Sequence, residues 1–120
     1  MDIEAIRKYC LALPHATEDI QWGNNLLFRI REKIFAVVAL DQTPLCVSFK
    51  CTPEEFAELV EREGIIPAPY MARNHWVLLE GPDVLPRAEL KRRVRNSYEM
   101  VAAKLPKKVR VELGLHVSGH

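Results

Sequence analysis

Leu26-Leu27-Phe28-Arg29-Ile30-Arg31-Glu32-Lys33-Ile34-Phe35-Ala36-Val37-Val38-Ala39-Leu40 reads as two strands joined by a tight reversal. Leu26, Phe28 and Ile30 alternate with Leu27, Arg29 and Arg31, the period of two that a half-buried strand requires. Glu32-Lys33 is placed to reverse the chain, and Ile34–Leu40 is apolar throughout, as a central strand would be. Both sides of that second strand are apolar, so the pattern alone leaves open which face it turns to the core. Arg29 and Arg31 fall on one side of their strand, where Lys50 could join them.

Working outward, Ile20–Trp22 is a short candidate strand before the turn Gly23-Asn24-Asn25. On the other side, Asp41-Gln42-Thr43-Pro44 turns the chain into Leu45–Lys50. Such short connections favour an antiparallel meander. Ahead of the strands, Asp2 can cap a helix whose Ile3, Ile6, Cys10 and Leu13 recur at helical spacing, and Pro14 ends it. After them, Thr52-Pro53-Glu54-Glu55 has the form of a capping box with proline at the first helical position. This helix buries Phe56, Leu59 and Val60, and Gly64 is placed to end it. Ile65–Tyr70, with Pro67 and Pro69, reads as an extended loop, and Trp76–Glu80 as a last strand. Pro86 opens the longest helix, to about Lys104, with Leu90, Val94, Tyr98, Val101 and Leu105 along one stripe. Pro106–His120 is expected as a short helical extension and a frayed tail.

The expected order is thus α-β-β-β-β-α-β-α. Helices gathered on one face of an antiparallel sheet make an α+β two-layer sandwich with the other face partly open. The 120 residues suit one domain, with residues 1–112 as the folded unit and 113–120 as the tail.

Composition narrows the function classes. Apolar residues make up 48% and charged residues 28% of the chain, as in an ordinary globular protein. No apolar run approaches the roughly 18–20 residues of a membrane span. The start, MDIEAIRKYC, lacks the layout of a signal peptide, so a cytoplasmic location is expected. The formal charge of +1 conceals an asymmetry: residues 1–85 carry 8 basic and 13 acidic side chains, residues 86–120 carry 9 and 3. A basic segment attracts phosphate backbones, whereas a near-neutral whole disfavours strong non-specific binding to DNA.

Sites of bond chemistry find no motif. The chain lacks GxSxG, a P-loop and a dinucleotide-binding glycine pattern. Cys10, Cys46 and Cys51 form no CxxC pair and read as small buried hydrophobes. His15, His75, His116 and His120 have no metal-ligand spacing in a rigid element, and Glu54-Glu55 is explained by its helix N-terminus. Glu18-Asp19 reads as a solvated turn. No catalytic residue, metal or cofactor is therefore assigned, and the protein is not expected to be an enzyme.

Two constellations remain. Tyr70-Met71-Ala72-Arg73-Asn74-His75-Trp76 gathers residues that can contact phosphates, base edges and unpaired bases. The competing reading is structural, with Trp76 plugging the core edge and His75 bonded to backbone. Arg87, Lys91, Arg92, Arg93 and Arg95 stand on the last long helix, followed by Lys104, Lys107, Lys108 and Arg110. Their spread around the helical wheel reads as a solvated face, with Glu89 placed to pair with Arg93.

Taken in order, several landmarks resemble the MmcQ/YjbR family over residues 1 to about 112. They begin with Tyr9-Cys10 and Pro14, Trp22, and Lys33-Ile34-Phe35-Ala36. They continue with Val47-Ser48-Phe49-Lys50 into Thr52-Pro53-Glu54, then His75-Trp76, Ser97-Tyr98 and Leu105-Pro106. The resemblance implies a CyaY-like fold and DNA binding through strands and loops in a double-wing arrangement. Family members commonly carry Asn-Lys shortly before His-Trp. Here Ala72-Arg73 stands instead, keeping a cation and losing the amide. The expected DNA-contacting set is Arg29, Arg31, Lys33, Lys50, Arg73, Asn74, His75 and Trp76. The alternative is an adaptor that binds a protein or small ligand on the open sheet face, homodimerisation through that face being one version. Either a monomer or a homodimer fits the sequence.

Overall fold

The computed structural model describes residues 1–69 and 71–115. Helix α1 (Ile3–Leu11) starts at Asp2, whose carboxylate accepts from the Ala5 N–H at 2.8 Å. Strands β1 (Ala16–Gln21), β2 (Asn25–Ile30), β3 (Lys33–Ala39) and β4 (Cys46–Lys50) follow as a meander. Helix α2 (Pro53–Leu59) opens with both hydrogen bonds of the expected capping box between Thr52 and Glu55. Strand β5 (Ile65–Pro67), a 3-10 turn at Ala72–Asn74 and strand β6 (Trp76–Leu79) come next. Helices α3 (Arg87–Ala103) and α4 (Lys107–Glu112) complete the chain as described. The expected tail lies, from residue 116 onward, outside the described residues, as does Tyr70.

The six strands form one antiparallel sheet in the order β1-β2-β3-β4-β6-β5. The α+β two-layer architecture is the expected one, with differences of detail. Ile65–Pro67, read as loop, pairs with Val77–Leu79 as an edge strand, a position that tolerates Pro67 because a ring nitrogen need not donate there. The first strand is Ala16–Gln21, not Ile20–Trp22. The β2–β3 reversal lies at Arg31-Glu32, with Arg31 at φ 56°. Helix α2 ends five residues before Gly64, whose φ of +87° instead serves the turn into β5. A side chain at Gly64 would also meet Val84 at 3.0 Å.

A bulge decides which face of β3 is which. Phe28 pairs with Ala36 but Arg29 with Ile34, so Phe35 is the extra residue. Phe35, Ala36 and Val38 therefore all join the principal core, together with Leu26, Phe28 and Ile30 of β2. Helix α3 lays Leu90, Val94, Tyr98 and Val101 over β3 and β4, while α1 adds Ile6 and Cys10 beside β1. Tyr98 meets Phe35 edge-on at 5.3 Å between ring centres.

The opposite sheet face is less open than expected. Leu27, Val37, Ala68 and Trp76 form a second buried cluster there, flanked by Ile34, Met71 and Leu78. The chain between β5 and β6 thus covers the apolar part of that face. Beyond it, Thr17, Asp19, Gln21, Asn25 and Arg29 make the face polar.

Candidate nucleic-acid interface

Lys33 begins β3, Lys50 ends the neighbouring β4, and Lys104 caps the C-terminus of α3. The fold brings these three ammonium groups around one depression of about 260 Å³, with Asn74 at its side. Ile34, Trp76 and Val101 supply the apolar lining. Among the described residues none of the three lysines forms an ion pair with a carboxylate. Among the described residues Arg7, Arg29, Arg31, Arg62, Arg92, Arg93 and Arg95 are ion-paired, so their charge is compensated where that of these three lysines is not.

Several bonds set the geometry. The Lys50 Nζ donates to the Asn74 carbonyl at 2.9 Å, tying β4 to the 3-10 turn. The Lys50 N–H donates to Ser97 Oγ at 2.9 Å, and the Ser97 hydroxyl donates to the Phe35 carbonyl at 2.7 Å. One fully buried serine thereby fixes β3, β4 and α3 relative to each other just behind the lysines. His75 adopts a left-handed conformation at φ 63°, and its carbonyl accepts from the Cys51 N–H at 2.9 Å. Its ring stands edge-on to Phe56 at 5.6 Å.

The expected contact residues therefore separate. Lys33, Lys50 and Asn74 come together, and exposed Arg73 directly precedes Asn74 in sequence. Trp76 lines the depression but is only 5% exposed, so its ring is packing and presents no face on which a base could stack. His75 is held by backbone bonding and by Phe56, the structural reading weighed above. Arg29 and Arg31 do not form a shared basic stripe. Arg29 is bonded to Asp19 at 2.9 Å and to the Glu32 carbonyl at 3.0 Å. Arg31 has turned out of the strand and reaches Glu112 of α4 at 3.3 Å. The sequence places Lys104 with the solvated basic set and not with the contact residues, because only the docking of α3 carries its last turn to the ends of β3 and β4.

The α3 cations are not all solvated either. Arg93 is buried at 8% exposure and bonded to Glu55 of α2 and Glu89 of α3, both at 2.9 Å. The cysteines are free, and burial pushes all three thiols up, Cys10 to about 12 and Cys51 to about 11. They are poor nucleophiles at neutral pH.

No helix among the described residues is long and apolar enough to cross a membrane. Comparison with curated proteins finds no match. Among solved structures, a Pseudomonas syringae protein shares the fold at a TM-score of 0.68 and 21% identity, over 84% of this chain and 99% of its own. A Deinococcus radiodurans protein of the DUF419 domain type superposes with a TM-score of 0.86 at 30% identity, over 98% of this chain and 91% of its own. The YjbR family model matches residues 11–100, three quarters of the sequence, and together these matches show that the chain belongs to the YjbR family.

Proposed function

We propose that this protein binds DNA through its phosphate backbone, with Lys33, Lys50 and Lys104 as the contact cations. The observation that carries the reading is the convergence on one depression, beside Asn74, of three lysines that have no carboxylate partner among the described residues. Arg73, exposed and next to Asn74 in sequence, is taken as a fourth contact. Ammonium groups act here as point charges toward phosphate and confer no base preference of their own. Arg29 and Arg31, with their charge spent on Asp19 and Glu112, are outside the contact set. The role is one of binding rather than catalysis.

Fluorescence anisotropy with labelled duplex DNA at two salt concentrations tests this. Each backbone contact contributes about 0.9 to the slope of log affinity against log salt. Changing Lys33, Lys50 and Lys104 together to alanine should remove most of the salt-dependent affinity, and Arg73→Ala should lower the slope by about one unit. A triple variant that binds with unchanged slope would sink the proposal. Arg29→Ala is the control, expected to leave the slope as it was.

A further inference from the structure

A second concavity lies on the far flank of α3, where that helix meets the chain after α1 and the last turn of α4. It encloses about 340 Å³, the lower end of the range for small-molecule sites. Its walls at Leu13, Ala102 and Leu115 are apolar. Its charged groups are Arg95, Glu99 and Arg110. Arg95 and Glu99 neutralise one another at 3.2 Å, and the Tyr98 hydroxyl is committed to the Pro14 carbonyl at 2.7 Å. One positive charge is left over, on Arg110.

Arg110 Nε is the one buried side-chain nitrogen or oxygen among the described residues with no hydrogen-bond partner. A buried donor without a partner is unfavourable, so the guanidinium is primed to turn toward an acceptor entering the cleft. A carboxylate would take Nε–H and a terminal N–H together, the two-pronged geometry that arginine favours. The apolar walls would take a short hydrocarbon or aromatic body. We infer that the cleft between α1, α3 and α4 binds a small monocarboxylate with an apolar body, anchored by Arg110. The single surplus charge matches a monoanion better than a phosphate dianion. This inference is independent of the DNA reading, since it uses no residue of the lysine depression.

Benzoate is the probe, followed by amide chemical shifts of the whole protein, with benzyl alcohol and inorganic phosphate as comparisons. Benzoate should produce saturable shifts around Ala102, Ala103 and Arg110 with a Kd on the order of a millimolar, while the alcohol and phosphate produce none. Arg110→Gln should weaken benzoate at least about tenfold. Ala103→Leu, which fills the cleft and keeps every charge, should also abolish the shifts while the rest of the spectrum is retained. Absence of saturable shifts with benzoate, equal shifts with phosphate, or undiminished binding by Arg110→Gln would each overturn the assignment.

Discussion

Ser97 shows how much one side chain carries in this fold. Fully buried, it accepts from the Lys50 N–H and donates to the Phe35 carbonyl. Ser97→Ala leaves two buried backbone groups without partners, and each such loss costs about 1–3 kcal/mol. The variant should therefore unfold at clearly lower urea concentration, by about 2 kcal/mol or more in stability, which a denaturation curve reads directly. Sequence alone marked Ser97 only through its place beside Tyr98 in a family resemblance. A serine inside a helix has no pattern that reveals a partner 62 residues away. Trp76 was the reverse case: its composition suited either stacking or core, and only the neighbours Leu27, Val37 and Ala68 decided for core.

At the scale of elements, ion pairs tie α2 and the residues after it to α3. Arg93 lies between Glu55 and Glu89, and Glu89 also bonds Arg62 at 3.0 Å. The Arg62 hydrogen bond, then that of Arg93, holds the Glu89 carboxyl below its ordinary value of 4.5. Arg7 does the same for Glu18 across the α1–β1 junction. A carboxylate whose folded-state pKa is depressed adds stability above its unfolded value and loses it as pH falls through the folded one. Melting temperature should therefore drop below about pH 4.5. Glu89→Gln should melt lower at neutral pH and show a shallower acid limb, and an unchanged limb would remove Glu89 from that role. The i,i+4 spacing of Glu89 and Arg93 announced their pairing in the sequence, and the capping box announced α2. The link to Glu55 was hidden, because it joins residues 38 positions apart.

For the whole molecule, one principal core joins the sheet to α1, α2 and α3. Loss of any layer strips the others, so unfolding should be a single cooperative transition. The two tryptophans offer the test, since Trp76 is 5% exposed and Trp22 is 59% exposed. Trp22→Phe should leave blue-shifted emission that resists acrylamide until the fold is lost. Its fluorescence transition in urea should coincide with that of circular dichroism. Separate midpoints would mean that the Trp76 cluster, on the other side of the sheet, opens on its own.

Helix starts, the strand meander and the buried stripe of α3 were determined by the sequence itself, because capping, proline geometry and residue period act over a few neighbouring positions. The Phe35 bulge, the paired edge at Ile65–Pro67 and the burial of Trp76 were decided by the tertiary structure. So was the meeting of Lys33, Lys50 and Lys104, which lie on three different elements. Contacts of that kind depend on how finished elements dock, and side-chain periodicity carries no information about docking over tens of residues. The same holds for charge: Arg29 and Lys50 look alike along the chain, and only the fold gives one an aspartate and the other, among the described residues, a backbone carbonyl and no carboxylate.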